Sequence, residues 1–134
     1  MGYRSEVAIT IHNEAFNNLV EKAKAENSDA YGLIKDSSIY KTDKFTTMYF
    51  DSVKWYDDYP DVQFIESFMK CVPYMFKRVG EEYEDIECLE DGIEDEDHDI
   101  YDCVYIVRSI NIESAGEEIN IDGEQVNGNR QEAV

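Results

Sequence analysis

Apolar and polar positions alternate from Tyr3 to Ile11, with Val7, Ala8, Ile9 and Ile11 supplying apolar and β-branched side chains, and this predicts a first strand that His12-Asn13 stops. Asn13 is placed to cap a helix from about Glu14 to Glu26. Phe16, Leu19, Val20 and Ala23 recur there at helical spacing, Glu14 suits the start of the helix dipole, and Lys22 and Lys24 suit its end. Asn27-Ser28-Asp29 then reads as a turn. Tyr31 to Tyr56 is rich in Tyr, Thr, Phe and Ile, and the polar break Lys41 to Lys44 divides it into two strands, one with Ile39-Tyr40 and one from Phe45 to Lys54. Asp57-Asp58-Tyr59-Pro60 forms a turn into a second helix, with Val62, Ile65, Phe68, Met69 and Val72 on one face and Pro73 as its stop. Tyr74 to Val79 predicts a strand that Gly80 breaks, and Tyr83 to Leu89 a further extended piece. Tyr101 to Ile112 carries Val104-Tyr105-Ile106-Val107, apolar on both faces, and predicts a central strand.

This order predicts an α+β fold, a ferredoxin-like sandwich with two helices on one face of a mainly antiparallel sheet and extra C-terminal strands. Residues 1–112 form one domain that includes an acidic segment at 81–102. Residues 113–134, dominated by Gly, Asn, Glu and Gln, form an acidic C-terminal tail or edge strand such as Glu118 to Ile121. A chain of 134 residues that is 43% hydrophobic closes a core without staples, and ten Tyr, six Phe and one Trp are too many for a disordered acidic chain. No apolar run approaches the ~20 residues that cross a bilayer. The first residues also lack the basic-then-apolar layout of a secretion signal, so a soluble protein of the cytoplasm is expected. The three cysteines, Cys71, Cys88 and Cys103, are too few and too scattered for a disulfide framework and are expected to be buried, reduced and structural.

Charge changes the picture most. Residues 1–78 hold ten Lys/Arg and twelve Asp/Glu, whereas residues 79–134 hold Arg108 and Arg130 against nineteen Asp/Glu, so −17 of the formal −19 lies in the last 56 residues. Such a field repels nucleic acid and anionic membrane and attracts a basic surface. Direct binding to nucleic acid or membrane is therefore not expected. Oligomeric state is left open.

The densest acidic run is Glu81 to Asp102, where thirteen of twenty-two residues are Asp or Glu and Tyr83, Ile86, Leu89, Ile93, Ile100 and Tyr101 recur as anchors able to fix the acids on a folded surface. Side chains on one face of an extended segment repeat every ~6.6–6.8 Å. That spacing is of the order of a phosphate backbone, which carries one charge per ~3.4 Å of axis per strand. The opposing reading is a solvated skirt that only keeps the protein in solution. A second feature is Lys54-Trp55-Tyr56-Asp57-Asp58-Tyr59, in which Trp55 is expected beneath the second helix, with Tyr56 and Tyr59 more exposed.

Catalytic and metal chemistry finds little foothold. A calcium loop counted from Asp95 has Asp97 and Asp99 in place but puts Ile100 where the turn needs Gly and Ile106 where a bidentate Glu belongs. There is no Cys-x-x-Cys, no His-Glu-x-x-His and no Gly-rich phosphate loop, and the two histidines, His12 and His98, form no ligand pair in sequence. Neither a metal nor a cofactor is implied, and the expectation is a binding protein without enzymatic activity.

Three stretches, Gly2-Tyr3-Arg4-Ser5-Glu6-Val7-Ala8, Lys54 to Gln63 and Arg78 to Glu87, resemble a group of small proteins of tailed phages and prophages across roughly the first ninety residues. The charge profile is similar to that of phage anti-defence proteins that act as nucleic-acid mimics, including anti-CRISPR and anti-restriction inhibitors. The resemblance implies work in the cytoplasm of a bacterial host, against a basic nucleic-acid-binding protein such as a CRISPR effector or restriction enzyme. Under that reading the partner-binding residues are Tyr56, Asp57, Asp58, Tyr59, Glu81, Glu82, Tyr83, Glu84, Asp85, Glu87, Glu94, Asp95, Asp97 and Asp99. The alternative is a phage interaction or assembly module that binds a protein through its sheet edge and aromatics. A small enzyme acting on a nucleotide is the third reading.

Overall fold

A computed structural model describes residues 3–82, 84–94, 97, 100, 103–106 and 110–126. The chain runs β1 (Ser5–His12), α1 (Asn13–Glu26), α2 (Ser28–Asp36), β2 (Ser38–Lys41), β3 (Phe45–Val53), α3 (Pro60–Met69), β4 (Tyr74–Val79), β5 (Ile86–Asp91), β6 (Tyr105–Ile106), β7 (Ile110–Asn111) and β8 (Glu117–Ile119). Six strands form one sheet in the order β5-β4-β1-β3-β2-β8, with every neighbouring pair antiparallel, and β6 and β7 form a separate two-stranded ribbon. The fold is α+β.

Side chains alternate across the strands, so each face of the sheet is read from register. Val7, Ile9 and Ile11 of β1 stand beside Arg78, Phe76 and Tyr74 of β4, and these in turn beside Glu87, Leu89 and Asp91 of β5. This face carries the helices: Phe16, Leu19 and Ala23 of α1, Ala30 and Ile34 of α2, and Val62, Ile65 and Met69 of α3 share one core with Val7, Ile9, Ile11, Met48, Phe50 and Phe76. Trp55 joins that core beneath α3, packed on Phe50 and Phe76 with ring centroids 5.2 and 6.2 Å away. Its Nε1 donates to Glu66 Oε2 on α3 at 2.9 Å, which satisfies the one polar atom of a buried indole.

Three helices, not two, make this layer. The stretch Tyr31 to Asp36, expected as strand, belongs to α2. Asn27, expected in a turn, caps it by accepting from the Ala30 amide at 3.0 Å, and Ala30 and Ile34, four residues apart, both reach the core. Tertiary packing outweighs Gly32, whose presence in a helix interior costs ~1 kcal/mol. Asn13 is not the cap of α1 either. Its amide donates to the carbonyls of Thr42 and Asp43 and its oxygen accepts from Thr46 Oγ1, bracing the β2–β3 loop against the helix start.

The opposite face is covered by the chain that follows β5. Ile100, Cys103, Val104 and Ile110 bury against Ala8, Phe45, Met75 and Val79, with Ile93, Ile106 and Ile112 packed around them. Here the expected central strand Tyr101 to Ile112 is corrected. Its described part holds the β6–β7 ribbon outside the main sheet; Val104, just before β6, is fully buried, while Tyr105 is 41% exposed. Val104 and Ile106 serve a cover pressed on the sheet, and the middle of the sheet is β1 and β3. Tyr101, Asp102 and residues 107–109 lie outside the described residues. Glu6 ties cover to sheet, since its Oε1 accepts from the Tyr49 hydroxyl at 2.7 Å and from the Ile110 amide at 3.2 Å. Burial, and then the bond to Glu6, push the Tyr49 hydroxyl well above its ordinary pKa.

Candidate functional site

Arg78 organises the region where the first residues, the Trp55 turn and the acidic segment meet. It lies on the helix side of β4, in register with Val7 and Glu87, and its guanidinium donates to both carboxylate oxygens of Asp85 at 2.6 and 3.1 Å. It also donates to Glu87 Oε1 at 3.2 Å and Ser5 Oγ at 3.2 Å. A planar guanidinium suits this forked geometry better than an ammonium would. The Tyr3 hydroxyl adds a third donor to Asp85 at 2.6 Å, accepts from the Glu82 amide at 3.0 Å, and the Tyr3 amide donates to the Tyr56 hydroxyl. The Arg4 amide donates to Glu81. Two segments far apart in sequence, Tyr56 to Tyr59 and Glu81 to Glu87, are thus joined through Tyr3.

The bonds from Arg78, and after them that from Tyr3, hold the Asp85 carboxyl down at about 2. The same contacts raise Arg78 and Tyr3 above their ordinary values, chiefly through their bonds to Asp85. Gly80 leaves room for the Tyr3–Asp85 bond, because a Cβ there would lie 2.1 Å from Asp85 Oδ2 and 2.3 Å from the Tyr3 hydroxyl and would displace these side-chain ends. A cleft of about 780 Å³ opens beside it, walled by Trp55, Tyr56, Asp57, Glu66, Lys70, Arg78, Asp85, Glu87 and Leu89. Tyr56 packs against Tyr59 with ring centroids 5.0 Å apart. Acids, two cations and aromatics share these walls, so the cleft is amphoteric rather than purely anionic.

Glu81, Glu82 and Glu84 are exposed in the turn before β5, and every β5 side chain except that of Glu87 is exposed. Glu94 is exposed after it, and Asp97 meets His12 Nε2 at 2.9 Å, with the His12 ring tilted 43° against Phe45. Asp57, Asp58 and Tyr59 are exposed on the α3 side, with Tyr56 half-buried. Tyr83, Asp95, Asp99 and His98 lie outside the described residues. Two further acids stand elsewhere: Glu117 and Glu118 belong to β8, which lies across the whole sheet from β5.

Two of the three cysteines are corrected. Cys103 is buried in the cover, but Cys71 and Cys88 are exposed, the second on the edge strand. No group of three His, Cys, Asp or Glu side chains among the described residues is placed to hold a metal ion. No described helix is long and apolar enough to cross a membrane. Comparison with protein-family models, with curated proteins and with solved structures finds no match.

Arg78, Tyr3, Gly80 and Glu66 were not marked by the sequence as site residues. Their roles depend on register and on contacts up to 82 residues apart in the chain, as between Tyr3 and Asp85. Arg78 alone leaves a local trace, as the last cation before the acidic run.

Proposed function

We propose that this chain is a phage-derived inhibitor whose acidic β5 region occupies the basic groove with which a host defence protein, a CRISPR effector or a restriction enzyme, holds nucleic acid. The observation that carries the reading is the anchoring of the acidic segment: Asp85 and Glu87 are tied to Arg78, and Glu84, Glu90 and Asp91 stand on or beside a regular strand. Charges fixed in position pair with a basic surface without first losing the freedom of a loose chain. Long-range attraction would speed encounter, and screening over ~8 Å at physiological ionic strength would weaken it. Tyr56 and Tyr59 would pack against the rim of the groove. The same reading treats β1 to β4 with their helices as a ferredoxin-like sandwich to which β5, β8 and the β6–β7 cover are added, in keeping with the order β4-β1-β3-β2.

A second reading, an assembly module that binds a phage protein, is favoured by one feature. Ile86 and Leu89 are 48% and 38% exposed on the edge strand, where acids alone would serve a solubilising role. A pulldown from a bacterial lysate, eluted with rising salt, tests the choice. Recovery of a basic nucleic-acid-binding protein that added duplex displaces supports inhibition by mimicry. Recovery of a phage structural protein indifferent to salt and duplex overturns it.

A further inference from the structure

The sheet ends in two edges that are finished differently. Beyond β8 the chain turns back along its own strand: the Val126 amide donates to the Glu118 carbonyl at 3.1 Å, the Asn120 amide to the Glu124 carbonyl at 2.8 Å, and Ile119 bridges Gln125. Beyond β5 there is no such return among the described residues, and β4 is its one strand neighbour there. An edge of six residues spans ~20 Å and presents a row of backbone donors and acceptors, of which the Ile86 amide already donates to the Glu84 carbonyl at 3.0 Å.

Register decides what a strand added to that edge would meet. On the helix side stand Glu87, Leu89 and Asp91, and on the other side Ile86, Cys88 and Glu90. The helix-side face therefore reads acidic, apolar, acidic at every second residue. A second copy of β5 fits poorly. Antiparallel self-pairing over Ile86–Asp91 would set Glu87 opposite Glu90, and like charges directly opposite destabilise a strand pair. The same charges favour a basic strand.

We propose that β5 receives an extended basic segment of the partner as a seventh strand, with Lys or Arg side chains opposite Glu87 and Asp91 and apolar side chains opposite Leu89 and Ile86. This rests on the reading of the β5 region as a surface for a basic partner, and it adds the mode of binding and the sequence pattern of the bound segment. Backbone hydrogen bonds supply affinity along the edge. The alternating pockets and carboxylates set specificity.

The test uses the capped peptide Lys-Arg-Val-Thr-Arg-Val, written to run antiparallel to β5, with two further versions N-methylated at its odd or its even residues. Binding to the full chain is followed by fluorescence anisotropy and amide hydrogen exchange. Strand addition predicts that the unmodified peptide slows exchange within Ile86–Asp91. It also predicts that one methylated version binds as well as the parent while the other loses roughly tenfold or more, because only alternate amides point at the edge. If all three bind alike, or both methylated versions are equally weakened, strand addition is overturned while the acidic surface survives as a charge contact. Protection that falls outside β5 overturns it as well. If no version binds, the reading of β5 as a surface for basic partners fails together with the inference.

Discussion

The two edges of the sheet carry the same kind of side chain and do different things with it. At the β8 edge Glu117 lies across from Lys41 in register, and the following turn folds back over the strand. At the β5 edge Arg78 holds Asp85 and Glu87 from the helix side, while Glu82, Glu84 and Asp91 point to solvent. A glycine stands at each junction. Gly80 leaves room for the Tyr3–Asp85 bond, and Gly116, with φ +106°, sits where a Cβ would come within 2.0 Å of the Lys41 carbonyl oxygen. The number of acids in the C-terminal half therefore says less than their placement. One set lies at an edge that the chain folds back over, and the other at an edge whose one strand neighbour among the described residues is β4.

Exchanging charge at the two edges gives the largest expected contrast. Neutralising Glu82, Glu84, Glu90 and Asp91 to their amides should weaken binding of a basic partner by ~10–100-fold at low salt, since each pair at a partly exposed surface contributes up to ~1 kcal/mol. The same treatment of Glu113, Glu117, Asp122 and Glu124 should change it by less than about threefold. Equal losses, measured by titration calorimetry, would erase the distinction between the edges.

Gly116→Ala should come next. It forces a side chain into a left-handed backbone conformation and against the Lys41 carbonyl, lowering stability by ~1–3 kcal/mol and releasing β8 from β2, as hydrogen exchange at Ile39 to Lys41 would report. An unchanged denaturation midpoint would show that β8 is not held as described. Arg78→Ala should cost on the order of 1–2 kcal/mol, because its partners are partly exposed and screened, and it should lower binding through disordered positions for Asp85 and Glu87. Urea titration and calorimetry read the two effects separately.

The smallest effect is a dependence on acid. Asp85 has its pKa lowered from 3.8 to about 2 in the folded chain, so its contribution is present in full above the ordinary carboxylate range and is lost as pH falls from about 4 to about 2. Melting temperatures of the wild type and of Asp85→Asn should differ at neutral pH and converge near pH 2. Parallel curves across that window would mean that the Arg78–Asp85 contact does not form.

How much of this was legible beforehand varies with the range of the interaction. Local patterns located β1, α1, β2, β3, α3 and β4, since Val7, Ile9 and Ile11 alternate and Val62, Ile65 and Met69 share a helix face. The helix α2 was hidden because Tyr31, Gly32 and Ile34 have strand-like or breaking preferences that core burial of Ala30 and Ile34 overrides. The run from Val104 to Val107 reads as a strand buried on both faces, whereas of its described residues Val104 and Ile106 pack into a cover laid on the sheet and Tyr105 is exposed. In the site, the exposed acids and the Trp55 turn could be seen in one dimension. The Arg78 network could not, because a single Arg acquires its partners only when β1, β4 and β5 are in register.

On the proposed reading, the β5 region competes with nucleic acid for a basic groove. The most direct measurement of this competition is the affinity of a captured host partner for this chain at several concentrations of duplex DNA or RNA and of salt. Duplex and chain should exclude each other, affinity should fall steeply as salt rises, and the variant neutralised at Glu82, Glu84, Glu90 and Asp91 should no longer compete. Simultaneous binding of duplex and chain, with an affinity that salt leaves unchanged, would contradict it.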